Sequence, residues 1–533
     1  MKIKEKRSAA GRFAAAVLGA LLLAAVVFLL PVSAQRAQAA EAVRIEQCLI
    51  QGENVVVTAS ARTVPASDDG LYYLIANQTY QEGAAGRQAA TAPAAGSATF
   101  TFALRKNQPD SQLFNKFVVA TKQNGVMTPV SGAKYITNPE ATATHTQGRR
   151  SVGKKGILPA VATINSGLLK ETGTNQVVYN LPVGNLCSGS GISYQYNGKT
   201  YHFSSAIVGQ YDQIVPSLNR QGIQITLVLL NNLTGDSTLI HPLSRDNAGA
   251  NYYAFNTAEQ AGVEKLEAVA SFLGERYSGT GHGTVDNWVV GNEVNARNEW
   301  NYMTPVDVGT FAAEYAKAVR IFYNGIKAQN GNANVYISID QQWSRPSNAA
   351  LYYAGRSFLD TFNGIVSAEG NIDWHVAIHP YNVPLYDPRP WNPSGLVQHS
   401  VATPYLTIQN IDVLTDYLGQ SAYLSPTGQV RSVLCSEVGY TSLQGEDVQA
   451  AALMYAYWQA ANNSHIDGII FSRQQDDAGE IAQGLANGIS NLDGSHKLAW
   501  DFYVNMNGAN AAQYLATASA IAGMDLSQVV TVR

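Results

Sequence analysis

The sequence predicts an α/β protein, a (β/α)8 TIM barrel preceded by a small all-β domain of sandwich type. Two observations lead there. Over residues 42–140, short and often alternating apolar runs are separated by Gly, Asn, Asp and Pro turns. From residue 156 onward, near-continuously apolar runs alternate with helix-like segments eight times. Such runs read as strands buried on both faces, and eight βα units in succession favour a closed barrel over an open sheet.

The elements follow in order. Basic "MKIKEKRSAAGR" leads into apolar "FAAAVLGALLLAAVVFLLPVSA", and "AQA" at Ala37–Ala39 offers a small-x-small cleavage site. Residues 1–39 therefore read as a secretory signal, with an uncleaved anchor as the minor alternative. The rest of the chain is expected outside the cytoplasm, secreted or at the cell surface, with no membrane contact after cleavage. The β domain, 42–140, is built from "VRIEQCLI", "NVVVTASA", "LYYLIA", "ATFTFAL" and "KFVVATKQNGVMTP". That is the strand content of a sandwich of about 100 residues. Polar, Thr-rich and basic residues at 141–155 read as a linker.

The barrel is assigned to 156–533. Its strands are "GILPAV" (156–161), "QVVYNLPV" (176–183), "IQITLVLL" (223–230), "VDNWVVGNE" (285–293), "NVYISID" (334–340), "IDWHVAIHPY" (372–381), "SVLCSEVGY" (432–440) and "IDGIIFS" (466–472). Helices are expected between them, including "GVEKLEAVASFLGERY", about 305–329, about 347–366, and a last one near 498–506. Strands through "IDGIIFS" and the last helix take about 355 residues, where a bare barrel takes about 250. Much of the excess follows strands two, three and six, at 184–206, 231–259 and 382–406, on the carboxyl face where barrels carry their active sites.

Composition narrows the function. Hydrophobic residues make up 46% of the chain and charged ones 14%, so a large core is available and global disorder is excluded. A net charge of -4 makes no case for a nucleic-acid partner or an anionic membrane. The 28 Tyr and 7 Trp offer flat amphipathic surface suited to sugars. Three widely spaced cysteines, Cys48, Cys187 and Cys435, form no disulfide framework, although one bridge is possible. No nucleophile elbow, P-loop, His-Glu-x-x-His or dinucleotide fingerprint appears, and no cofactor is expected. Oligomeric state is left open.

The chemistry-bearing pattern is a pair of glutamates. "WVVGNE" ends predicted strand four on Glu293, and "SVLCSEV" carries Glu437 near the end of predicted strand seven. By strand alternation Glu293 shares a face with Gly291 and Val289, and Glu437 with Cys435 and Val433. If those faces turn inward, both carboxylates emerge at the barrel mouth. Two facing carboxyl groups are what glycosidic cleavage needs: one donates a proton to the leaving oxygen, the other stabilises or attacks the anomeric carbon.

Asn292-Glu293 on strand four, His379-x-Tyr381 on strand six and Glu437 on strand seven, in that order, resemble the clan A glycoside hydrolases over roughly 156–510. The chain also resembles a poorly characterised group of secreted bacterial proteins with a small β domain before such a barrel. The clan resemblance implies Glu293 as acid/base and Glu437 as nucleophile in a retaining, double-displacement mechanism on a polysaccharide or oligosaccharide. It implies carboxyls about 5 Å apart, Tyr381 hydrogen-bonded to Glu437, and Asn292 at the sugar 2-hydroxyl. His379 is a candidate substrate contact. The chain departs from the clan where strand eight ends in Phe471, Ser472 and Arg473 instead of a tryptophan, and where strand three ends in "LLNN" without a histidine.

Other residues are ranked below the pair. Trp300, Trp343 and Trp391 follow predicted strand ends and are candidate sugar platforms, each equally readable as loop packing. Asp340, Glu299, Asp476 and Asp477 are second-choice acids. "HVAIH" has a zinc-like spacing, but on a strand its two imidazoles stand roughly 13 Å apart, so no metal site is expected. His375 reads as a barrel-interior residue. The alternative to an enzyme is a noncatalytic carbohydrate-binding or cell-surface protein on the same scaffold.

Overall fold

The structure is a computed structural model that describes residues 41–145, 148–279 and 281–528. The expected signal segment lies outside the described residues. The β domain comprises β1 (Arg44–Gln51), β2 (Asn54–Ser60), β3 (Leu71–Asn77), β4 (Arg87–Pro93), β5 (Ser97–Ala103), β6 (Lys116–Gln123), β7 (Val126–Pro129) and β8 (Lys134–Tyr135). One antiparallel sheet is ordered β1-β2-β5 and the other β4-β3-β6-β7, with β8 beside β6. Alternation decides the packing: Val55, Val57 and Phe100 of the first sheet share a core with Tyr72, Leu74 and Phe117 of the second. The Phe102 and Phe117 rings meet across the gap at 5.3 Å. Strand β4 was not foreseen, because "RQAATAP" is Ala-rich and lacks β-branched residues apart from one Thr.

The barrel begins with β9 (Lys155–Ile157) and β10 (Gln176–Pro182). A hairpin, β11 (Gly191–Tyr196) and β12 (Lys199–Ser204), occupies the long loop after β10. Then come β13 (Gln224–Leu230), β14 (Asn287–Val290), β15 (Asn334–Ile339), β16 (Trp374–Ile378), β17 (Val433–Val438) and β18 (Ile466–Phe471). All eight barrel strands are parallel, and β18 pairs with β9 to close the ring. The helices between them bury one stripe against the strands. Val308–Lys327, for example, starts where the Asp307 carboxylate accepts the Thr310 amide at 2.9 Å, and it buries Phe311, Tyr315, Val319 and Phe322. A helix at Ala511–Ala522 extends past the last expected one.

Val178, Val228, Val289, Tyr336, Ala377, Leu434 and Ile470, one from each strand β10 and β13–β18, fill the barrel interior. Polar side chains close its amino end. Tyr336 and Ser432 donate to Asp467 at 2.6 and 2.5 Å, and His375 Nδ1 meets the Ser432 hydroxyl at 2.9 Å. Arg149 donates to the Asp286 carbonyl at 3.0 Å, and Arg150 pairs with the Asp286 carboxylate at 2.9 Å. The segment read as a linker is thus bonded to the barrel floor. His375 lies at the start of β16 and His379 just past its end, toward opposite ends of the barrel.

The β domain docks at this same end. Lys106 donates to the Ala328 carbonyl at 2.7 Å, Asn324 to the Leu113 carbonyl at 2.9 Å, and the Arg320 guanidinium lies 5.0 Å from the Tyr135 ring centre. Tyr72 and Tyr73 are buried in the domain. All three cysteines are free thiols.

Candidate active site

Strand β14 stops at Val290, three residues before Glu293. Gly291 has φ +77° and Glu293 φ +38°, so the chain leaves the strand in a tight turn and simple alternation does not reach the glutamate. A side chain at 291 is doubly opposed, by the positive φ and by Val294, whose Cγ1 would stand 2.8 Å from an added Cβ. A positive φ at glutamate costs about 1–3 kcal/mol and persists only where neighbours impose it. Here β15 imposes it. Ser338 Oγ accepts the Glu293 amide at 2.8 Å, and the Ser338 carbonyl accepts the Val294 amide at 3.1 Å. Asn295 Oδ1 accepts the Asp340 amide at 2.8 Å while its Nδ2 donates to the Asp340 carboxylate.

Glu437 reaches the mouth by a different route from the one expected. Val433 and Cys435 pack outward with the main core, and it is Leu434 that lines the interior. Regular alternation would turn Glu437 outward as well. The β17–β18 register shifts between Cys435 and Val438, and this bulge re-aims the side chain. The two inward faces inferred from the sequence were therefore half right: Val289 points inward, Val433 and Cys435 do not.

His379 and Tyr381, just beyond β16, join the two carboxylates. His379 Nδ1 lies 2.7 Å from Glu293 Oε1 and 3.8 Å from Glu437 Oε2, so those two oxygens are at most about 6.5 Å apart. The Tyr381 hydroxyl donates to Glu437 Oε1 at 2.5 Å. Side-chain exposure is 39% for Glu437, 15% for Glu293 and only 4% for His379. The imidazole expected as a sugar contact is thus largely enclosed, and its observed partners are the carboxylates.

Burial opposes the imidazolium, but the charges of Glu437 and Glu293 and the hydrogen bond to Glu293 outweigh it, raising the His379 pKa to about 9. Burial, then the Glu437 charge, pushes the Tyr381 phenol well above its ordinary range, so it remains a donor. Asp340 is pushed up to about 7, first by burial and next by the Glu293 charge. Its oxygens accept from Asn295, from the Gln342 amide at 2.8 Å and from Gln342 Nε2 at 2.6 Å.

The remaining candidates divide. Asn292 is half-buried in the turn beside Glu293. Trp300 is half-buried and stacks on Tyr252, with ring centres 6.0 Å apart at 29°. Trp343 and Trp391 are corrected. Trp343 is fully buried, its indole N–H bonded to the Val401 carbonyl at 3.1 Å and its ring against Tyr417. Trp391 is buried against Tyr455. The loops fold over both rings, leaving no face for a sugar. Asp476 is paired with Lys497 at 2.8 Å, Asp477 caps the helix Ala478–Ala482, and Glu299 accepts the Tyr352 hydroxyl at 2.5 Å. Sequence reasoning passed over Ser338 and Asn295. Ser338 is visible in retrospect, since it alternates with Tyr336 and Asp340 on the inward face of β15.

Comparison with known proteins returns no curated match. Solved structures to which the chain is similar include a family 39 glycoside hydrolase from the gut symbiont Bacteroides cellulosilyticus WH2, at 14% identity over 83% of this chain and 78% of that one, with a TM-score of 0.43. The β-glycosidase of the hyperthermophile Thermosphaera aggregans is similar at 14% identity over 70% and 88%, with a TM-score of 0.45. A GH5_18 protein of Bifidobacterium longum subsp. longum ATCC 55813 is similar at 14% over 68% and 80%, with a TM-score of 0.42. At these values the barrel is read from this chain's own strand order. Residues 147–529 match the model of a family of unknown function, DUF5722, and this chain belongs to that family.

Proposed function

We propose that this protein is a secreted glycoside hydrolase that cleaves O-glycosidic bonds of a polysaccharide or oligosaccharide with retention of configuration, using Glu437 as nucleophile and Glu293 as acid/base. The observation that carries the reading is the single imidazole nitrogen of His379 within 2.7 and 3.8 Å of the two carboxylates. Those two distances bound Glu293 Oε1 and Glu437 Oε2 at no more than about 6.5 Å apart, which supports double displacement over the wider gap that admits a water.

The roles follow from the partners. Glu437 is the more exposed carboxylate and is held by the Tyr381 hydroxyl, leaving one oxygen free to attack the anomeric carbon. The proton needed by the leaving oxygen resides on the short bond between His379 and Glu293. As Glu437 spends its charge on the new C–O bond, support for the imidazolium falls and the proton shifts to Glu293, which delivers it as the glycosidic bond breaks. In the second step Glu293, now a carboxylate, takes a proton from the attacking water, and Glu437 leaves as carboxylate.

The test is product analysis on a panel of plant, fungal and bacterial glycans and aryl glycosides, with the anomer followed by NMR from the first turnover. Retention is expected. Glu437→Ala should lose turnover and regain part of it with azide, giving an inverted glycosyl azide. First-formed product of inverted configuration from the wild type contradicts the mechanism, and no turnover on any glycan favours a binding protein.

A further inference from the structure

In the closed strand order, the loops after β13 and β14 stand across the mouth from those after β17 and β18. Aromatic side chains occupy both walls. On one, Tyr252 from the loop after β13 stacks on Trp300 from the loop after β14. Tyr252 also packs on the barrel-interior cluster, so it borders the mouth. Burial, and after it the Glu437 charge, raises the Tyr252 phenol pKa, in keeping with a position near that carboxylate.

On the other wall stands Tyr386, in the loop that leaves β16. It is 51% exposed, and no other Phe, Trp or Tyr among the described residues is as open to solvent. An exposed ring carries meaning only if it is held, and this one is. Its carbonyl accepts Gln444 Nε2, from the loop after β17, at 2.6 Å. Gln444 in turn accepts Arg389 Nη1 at 2.7 Å, and Arg389 pairs with Asp387 at 3.1 Å. The ring rests on Gly484 in the loop after β18, where an added Cβ would stand 3.4 Å from the ring edge. A rigid aromatic surface left open to water stacks on the apolar face of a sugar ring with little ordering cost.

We propose that the mouth is an open cleft crossed by a glycan chain, with the Tyr252–Trp300 pair and Tyr386 as sugar-stacking subsites on opposite sides of the carboxylates. The substrate class is then a polymeric or long oligomeric glycan cut at internal bonds. Internal cutting rests on the hydrolase reading; the holding of a chain does not.

The test uses the full-length protein carrying Glu437→Gln, run by affinity electrophoresis through gels that each contain one soluble polysaccharide from the glycan panel. At least one polysaccharide should retard it. Adding Tyr386→Ala or Trp300→Ala should weaken that retention about tenfold, while Tyr386→Trp keeps it. Melting temperature controls for folding. No retardation in any gel, or retention unchanged by both alanine variants, overturns the cleft. In the wild type, mid-length fragments should precede small sugars. Mono- or disaccharide release from the first time point overturns internal cutting and leaves the hydrolase reading standing. A protein that binds a chain through Tyr386 yet never cuts it overturns the hydrolase reading and leaves the cleft standing.

Discussion

His379 Nδ1 lies 2.7 Å from Glu293 Oε1, a charge-assisted hydrogen bond between a 4% exposed imidazole and the carboxyl proposed as acid/base. Replacing His379 with Asn should lower kcat on an aryl glycoside about a hundredfold. In the wild type the alkaline limb of the pH–rate profile should fall near pH 9, where the imidazolium loses its proton. That limb should move in the variant. An unchanged limb contradicts the placement of the proton.

The same imidazole makes a stability statement. Its folded pKa of about 9 stands above the ordinary 6.5, so its contribution is complete below pH 6.5 and is lost as pH rises through 9. The melting-temperature gap between wild type and His379→Asn should therefore narrow between pH 6 and pH 10. Thermal melts across that range measure it.

Ser338 holds the strained turn, and its removal should act on geometry more than on binding. Ser338→Ala leaves the Glu293 amide without its 2.8 Å acceptor. A displacement of about 1 Å at a reacting carboxyl costs on the order of a hundredfold in rate. A drop of about ten- to a hundredfold in kcat with KM little changed is expected, and Ser338→Thr should recover part of it. Equal loss in the Thr variant argues against a hydrogen-bonding role.

Asp340 has a folded pKa raised from 3.8 to about 7, so the folded state binds its proton more tightly than the unfolded chain. Stability from this group is greatest below pH 3.8 and declines as pH rises through 7. Asp340→Asn removes that decline. Its melting temperature relative to wild type should be more favourable at pH 8 than at pH 5, and a gap independent of pH rules the effect out.

How much of this was legible follows from the residues. Long apolar runs such as "IQITLVLL" announce buried parallel strands whatever their surroundings, and each of the eight runs overlaps a barrel strand, although β9 is cut back to Lys155–Ile157, β14 to Asn287–Val290 and β16 to Trp374–Ile378. The glutamates were singled out by chemistry and chain order, and the fold brings both beside His379. Their orientation was not readable, because Glu293 depends on two positive φ angles and Glu437 on a bulge, and neither leaves a mark in apolar alternation. Trp343 and Trp391 look like rim residues in sequence, and only the fold of loops 382–406 and beyond shows them covered. His379 as a bridge depends on three separate strands converging, which no local pattern encodes.

Tyr381 donates its hydroxyl to Glu437 at 2.5 Å, and Tyr381→Phe removes that bond while keeping the ring. Hydrogen bonds to charged groups are worth about 1.5–3 kcal/mol, so the glycosylation step should slow by about ten- to a hundredfold. Rapid-quench burst kinetics on an activated aryl glycoside isolate that step. A wild-type burst rate in the variant removes Tyr381 from the chemistry.

The central claim is a covalent glycosyl ester on Glu437, and trapping it is the most direct measurement. The wild type is incubated with activated 2-deoxy-2-fluoro glycosides of the sugars it turns over, digested, and mapped by mass spectrometry. The expected result is one added glycosyl mass on the peptide containing Glu437, absent in Glu437→Gln and slow to clear in Glu293→Gln. A label on another residue, or full turnover of the fluoro sugar with inversion and no labelled peptide, contradicts it.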